Sequence, residues 1–96
     1  MKDPLVVTQV RFKEGSEADS RRGLLGFLSC VVNGTLRLDG VTLRRTRRGR
    51  LTLSFPAKPG LTGAQFFYFR PLDDAARKHI EQQVFKALGL TEGASR

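Results

Sequence analysis

The dipeptide Asn33-Gly34 stands between two apolar segments and predicts a tight reversal of the chain. A type I′ turn needs positive φ at both central positions, and Asn followed by Gly meets this requirement. The segment before it, residues 24–32, is apolar at both alternating sets of positions, which is typical of a central strand covered on each face. The sequence therefore predicts a β-hairpin whose second strand begins at Thr35.

A change of phase interrupts this second strand. Leu36 and Leu38 form one apolar set, and Val41 and Leu43 resume it one residue out of phase, after Gly40. A slip of one residue would turn the inward set to the opposite face. We therefore predict a β-bulge at Gly40 that restores the inward face.

The N-terminal part of the chain predicts one strand and one loop. Residues 5–12 are β-branched and partly alternating, and we expect one side of this strand to carry Val6, Thr8, Val10 and Phe12. Residues 13–22 are polar and charged, which predicts a loop.

Two further strands and a helix complete the predicted fold. Residues 51–55 alternate and 65–70 form a last strand, separated by a Pro- and Gly-containing loop over 56–63. Asp73 or Asp74 then caps a helix that runs to about Leu88 and stops at Gly89. Its core-facing stripe consists of Ala76, Ile80, Val84 and Ala87 or Leu88.

These elements predict a single α+β domain over residues 1–96. Its small antiparallel sheet has about five strands in a meander, covered by one C-terminal helix. We expect the core to span 5–88 and the tail, 91–96, to be frayed.

The positive charge is concentrated in one segment. The chain has a net charge of +8, yet residues 1–43 carry six Lys or Arg against five Asp or Glu, and 73–96 carry four of each. Residues 44–72 carry no acid, and their seven basic side chains are Arg44, Arg45, Arg47, Arg48, Arg50, Lys58 and Arg70. We predict that these seven contact nucleic-acid phosphates, because guanidinium groups donate hydrogen bonds in a fixed fork and stay charged. A solvated turn that only maintains solubility is the simpler alternative.

The aromatic run has two alternating faces. One face carries Phe66 and Tyr68, and the other carries Phe67 and Phe69. We expect one pair to pack under the helix and the other to face a dimer partner, the remaining sheet or stacked bases. An aromatic strand is more often core or interface than a base-stacking surface.

No pattern of residues predicts catalysis. His79 is the only histidine and has no Ser or Cys at a recognisable spacing, and the adjacent acids Asp73 and Asp74 are explained by helix capping. Cys30 is the only cysteine and lies in an apolar run, which predicts a buried, unreactive thiol and excludes an intrachain disulfide. We therefore expect no enzymatic activity, cofactor, metal site or small-molecule substrate.

The sequence also bears on location. No apolar stretch approaches the roughly 20 residues that a membrane span needs, and residues 1–4 lack the apolar region of a signal peptide. We expect a cytoplasmic protein without a membrane partner.

Four motifs, in order over residues 5–88, resemble the stage V sporulation protein G (SpoVG, septation regulator) family of small bacterial proteins. The first two are Thr8-Gln9-Val10-Arg11, similar to T-x-V-R, and Asn33-Gly34 followed by Leu36, Leu38, Gly40 and Val41. The others are Pro56-Ala57-Lys58, similar to P-S-[KR], and Pro71-Leu72 with Arg77, Ile80 and Val84, similar to P-[IL]-x4-R-x2-I-x3-V.

The resemblance implies a compact α+β homodimer that binds DNA or RNA and regulates gene expression. The chain departs from the family at Pro59 and Phe66, where the family often has basic residues, and at the arginine-rich turn, where the family is rich in Gly and Asn. A protein-interaction module that docks an acidic partner, without binding nucleic acid, is the alternative function.

Overall fold

The fold follows from a computed structural model that describes residues 5–90. Along the chain the elements are β1 (Val7–Glu14), α1 (Glu17–Arg21), β2 (Leu24–Val32), β3 (Leu36–Arg45), β4 (Leu51–Ser54), β5 (Ala57–Pro59), β6 (Gln65–Phe67) and α2 (Asp74–Ala87). Strands β1 to β4 form an antiparallel meander in chain order, and β5 pairs with β6 in a separate two-stranded sheet. The predicted fold class, a small antiparallel sheet with a C-terminal helix, is confirmed. The predicted tail at 91–96 lies outside the described residues.

The aromatic strand differs from the prediction in its partner. It is shorter than the expected 65–70, and it pairs with β5, inside the segment predicted as a loop, rather than joining the meander as a fifth strand. Pro56 precedes β5, and its carbonyl accepts a hydrogen bond from the Tyr68 amide at 3.0 Å. This segment therefore folds back on itself as a local hairpin.

The predicted turn and bulge between β2 and β3 are both present. Asn33 and Gly34 have φ of 52° and 62°, and the Thr35 amide donates to the Val32 carbonyl at 3.0 Å. The register shifts where Leu28 and Cys30 of β2 meet β3, and Gly40 has a φ of +78°. The apolar residues on both sides of Gly40 consequently face the same core.

A second bulge, in β1, makes the predicted side assignment of that strand wrong. The register shifts between Thr8 and Arg11, and Gln9 has a φ of 50°. Val7 and Val10 therefore both pack against the core, whereas Val6 is exposed. The extra residue reverses the alternation that the sequence pattern assumed.

The predicted loop over 13–22 is wrong in part, because β1 extends to Glu14 and a short helix follows. Ser16 caps this helix: its hydroxyl accepts from the Asp19 amide at 3.0 Å, and the Asp19 carboxylate accepts from the Ser16 amide at 3.2 Å. This reciprocal pair is a capping box with Asp in place of the usual Glu.

Helix α2 covers one face of the four-stranded sheet. As predicted, it begins after the N-cap Asp73 and ends at the C-cap Leu88, before Gly89. Its buried residues Ile80, Val84 and Phe85 pack on the inward side chains of β2, β3 and β4. Cys30 is 1% exposed within this core, so its predicted burial is confirmed.

Within residues 5–90, no helix covers the opposite face of the sheet, contrary to the expectation that β2 is buried on both sides. Phe27 on this face is 43% exposed. Val31 is buried there, although it does not belong to the core under α2. Its cross-strand neighbour Arg37 donates a hydrogen bond to Gln9 at 3.4 Å on the same side.

Within residues 5–90, no helix is long and apolar enough to cross a membrane.

Candidate nucleic-acid interface

The arginine-rich segment forms an ordered turn between β3 and β4. The Thr46 amide donates to the Arg50 carbonyl at 2.8 Å, and the Thr46 hydroxyl accepts from the Arg50 amide at 3.1 Å. Gly49 has a φ of +85°, and its carbonyl accepts from the Arg45 guanidinium at 3.1 Å. A defined backbone therefore holds the arginine side chains at this end of the hairpin.

The arginines of the turn differ in exposure. Arg44 is half-buried on β3, across from Thr52, while the remaining four are exposed. Among residues 5–90, no carboxylate forms an ion pair with Arg44, Arg45, Arg47 or Arg48. Four cations with no acidic partner in the described chain make this turn a strongly positive surface.

Two basic residues that the sequence analysis missed join the turn. Arg21 and Arg22, at the end of α1, line an open cleft of about 490 Å³ together with Arg45 and Arg47. The hairpin register explains this proximity, because Leu24 pairs with Arg44 and residues preceding Leu24 must approach those following Arg44. The Arg45 amide accordingly donates to the Gly23 carbonyl at 2.7 Å. Continuing the predicted β2–β3 pairing outward would have found this pair of arginines.

Acidic side chains near the cleft are limited. Asp19 pairs with Arg22 at 3.1 Å, and the hydrogen bonds from Ser16, together with Arg22, hold the pKa of Asp19 below its ordinary value. Glu14 and Glu17 line an adjoining cleft that also includes Arg45, but they do not form an ion pair with it. Asp19 offsets the charge of Arg22, and the cleft keeps the positive charge of Arg21, Arg45 and Arg47.

The structure separates Lys58 and Arg70 from the turn. The arginine turn precedes β4, whereas Lys58 and Arg70 follow it in the chain. The four residues of β4 span roughly 13 Å at strand spacing and separate the two ends. The ammonium of Lys58 lies 5.6 Å from the centre of the Phe66 ring, and the guanidinium of Arg70 lies 5.0 Å from that of Phe67. The seven predicted cations therefore form two groups rather than one.

Arg70 lines a cleft with the acids at the start of α2 but forms no ion pair with either of them. Asp73 accepts from the Ala76 amide at 2.9 Å, and Asp74 pairs with Arg77 at 3.4 Å.

The aromatic run alternates in exposure as its sequence predicts. Phe66 and Tyr68 are 57% and 61% exposed, whereas Phe67 and Phe69 are half-buried. Phe69 packs against the core and meets Phe55 edge to face, with ring centres 6.1 Å apart. The exposed pair is therefore accessible to a partner or a ligand.

No protein-family model and no curated protein matches this chain.

Proposed function

We propose that this protein is a nucleic-acid-binding regulator, similar to the SpoVG family, that contacts phosphates through the arginine turn between β3 and β4. It acts in the cytoplasm, without enzymatic activity, as a homodimer. DNA and RNA both present the required phosphates. Because phosphate contacts alone carry no sequence information, the turn confers weak sequence preference.

One observation carries this proposal. Arg45, Arg47 and Arg48 project from a hydrogen-bonded turn, are exposed, and form no ion pair with a carboxylate within residues 5–90. Arg21 and Arg22 add to the same side of the molecule. Such a surface favours the binding of a polyanion, because each phosphate that an arginine neutralises releases condensed counterions.

The decisive experiment is a salt titration of binding. Fluorescently labelled DNA and RNA oligomers of unrelated sequence are titrated at several salt concentrations with the unaltered chain. If about four arginines engage phosphates, affinity for duplex DNA falls by roughly two decades between 50 and 200 mM salt.

Charge-reversal variants then test the turn. An Arg47→Glu/Arg48→Glu variant should bind far more weakly and show a log–log salt slope shallower by about 2. Arg47→Glu alone is compared with Lys86→Glu, which makes the same charge change on the exposed last turn of α2. Retained affinity in the double variant would refute the role of the turn. A protein that binds no oligomer at low salt would instead favour docking to an acidic protein.

The homodimer proposal depends on the exposed aromatics of the β5–β6 hairpin. Phe66 and Tyr68 leave an apolar surface that a second copy would bury. Two copies would also present two arginine turns and raise avidity. Light scattering at micromolar concentration should give a dimer mass, and Phe66→Ser/Tyr68→Ser should give a monomer. A monomer mass for the unaltered chain would refute this part of the proposal.

A further inference from the structure

The sheet face opposite α2, which no helix within residues 5–90 covers, carries an exposed aromatic ring. Phe27 lies in β2, whose neighbours on both sides are hydrogen-bonded strands, and it pairs with Lys13 of β1 and Thr42 of β3. Its side chain is on the face opposite α2, since its neighbour Leu28 is buried in the core. Phe27 is thus 43% exposed and lies on a strand that is paired on both sides.

Cationic side chains surround this ring on the same face. Arg11 and Arg44 lie two residues from Lys13 and Thr42 on their strands, and alternation places both on Phe27's side. At strand spacings, the Cα of each lies roughly 8 Å from that of Phe27. Asp39 is the one acidic residue of β2 and β3, and it lies beyond this group at the Gly40 bulge.

The ring of Phe27 also differs from two rings of the β5–β6 hairpin, the exposed Phe66 and the half-buried Phe67. Phe66 and Phe67 already have a cation over one ring face, supplied by Lys58 and Arg70. No cation from the described part of the chain lies over Phe27 in this way. Its exposed ring surface is therefore accessible to a planar ligand.

We infer that this face binds single-stranded nucleic acid, with one base stacked on Phe27 and the flanking phosphates on Arg11, Lys13 and Arg44. An exposed ring beside cations is the arrangement that holds single strands, because an unpaired base offers its flat face. In a duplex that face is occupied by neighbouring base pairs. Arg44 connects this surface to the arginine turn, so one strand can contact both.

This inference rests on the proposed function and selects single strands over duplexes. Anisotropy titrations compare a single-stranded 12-nucleotide oligomer with a duplex of equal length. Phe27→Leu should weaken single-strand binding by roughly 5- to 150-fold, the range expected for loss of one stacked base. Its salt slope should stay unchanged, because Phe27 contacts no phosphate. Leu36→Ala, which trims an exposed apolar side chain at the far end of β3, is the matched control.

A fluorescence measurement adds a direct readout, because the chain contains no tryptophan. In a Phe27→Trp variant, the single-stranded oligomer should quench the indole emission, whereas the duplex should not. A Leu36→Trp variant should show no quenching with either oligomer. Thermal unfolding of each variant establishes that the fold is retained.

The outcomes separate the two proposals. Native-like single-strand affinity in Phe27→Leu, together with weakened binding in Arg47→Glu/Arg48→Glu, would overturn the stacking site while the proposed function stands. Equal quenching by duplex and single strand would overturn the preference for single strands. If the unaltered chain binds no oligomer, both proposals fall.

Discussion

Glu81 and Gln83 are two residues apart on α2, and they bind the backbones of the two opposite edge strands of the same sheet. Glu81 accepts from the Leu53 amide of β4 at 3.0 Å. Gln83 accepts from the Val7 amide of β1 at 2.8 Å and donates to the Leu5 carbonyl at 2.8 Å. A separation of two residues turns the side chains to opposite flanks of a helix. Helix α2 therefore forms hydrogen bonds with the backbone at both edges of the sheet, while its apolar stripe covers the core between them.

Removing the Glu81 carboxylate should strongly destabilise the fold. Glu81 is 4% exposed and also accepts hydrogen bonds from Thr52 at 3.1 Å and Arg77 at 3.3 Å. Glu81→Ala leaves the Leu53 amide without its acceptor, so we expect the free energy of unfolding to fall by about 3 kcal/mol. Urea denaturation measures this change. Asp74→Ala removes the exposed carboxylate that also pairs with Arg77 and should cost less than about 1 kcal/mol.

Gln83 should be required as an amide rather than as a carboxylate. A glutamate could still accept from the Val7 amide, but it could not donate to the Leu5 carbonyl. We expect both Gln83→Ala and Gln83→Glu to lower the free energy of unfolding by about 1–2 kcal/mol at neutral pH. The neighbouring exposed Gln82→Ala should lie within about 0.5 kcal/mol of the unaltered protein. Equal stabilities of the Gln82 and Gln83 variants would show that the β1 edge does not depend on this amide.

Gly26 should tolerate no side chain. A Cβ there would lie 2.5 Å from both the Lys13 carbonyl oxygen and the Phe12 ring. The Lys13 oxygen belongs to the backbone of the paired strand β1 and cannot withdraw without disturbing that pairing. Gly26→Ala should therefore lower the free energy of unfolding by about 3 kcal/mol or prevent folding. At Gly15 the closest approach would be 3.4 Å, so the melting temperature of Gly15→Ala should remain close to that of the unaltered chain.

Cys30 should react slowly in the folded protein. Burial raises the pKa of its thiol, and the side chain is 1% exposed. Since the thiolate is the reactive species, we expect alkylation by iodoacetamide at neutral pH to be much slower in the native state than in urea. Mass spectrometry of timed samples measures both rates. Similar rates would mean that the core opens readily.

The capping box of α1 should respond to acid. Hydrogen bonds from the backbone and hydroxyl of Ser16 hold the pKa of Asp19 below its ordinary value. The stabilisation is therefore complete above the ordinary Asp value and is lost as the pH falls through the lowered one. An NMR titration should show the Ser16 amide resonance moving with the Asp19 carboxyl resonance. Independent titration of these two signals would contradict the capping box.

Local patterns in the sequence predicted the features whose causes are local. Asn33-Gly34 and Gly40 marked the turn and the bulge, because asparagine and glycine adopt positive φ more readily than other residues. Asp73 and Gly89 marked the ends of α2 for similarly local reasons. The bulge at Gln9 was missed, because glutamine has no preference for positive φ that would signal it.

The candidate site was predictable only within one stretch of chain. The arginines of the turn follow from composition, since no acid occurs in residues 44–72. The separation of Lys58 and Arg70 from them follows instead from the β5–β6 hairpin, whose pairing excludes these residues from the main sheet. The sequence predicted that Phe27 would be buried, because residues 24–32 are apolar at both alternating sets of positions.

Charge distribution, turn chemistry and apolar periodicity are properties of neighbouring residues, so the order of residues alone determined the α+β class, the central hairpin and the cationic segment. Only the tertiary structure decided which face of the sheet α2 covers, because that choice depends on groups distant in sequence. Glu81 and Gln83 hold α2 at the two edges of the sheet. They thereby also fix which face of the sheet no helix within residues 5–90 covers. The same packing leaves Phe27 exposed beside Lys13.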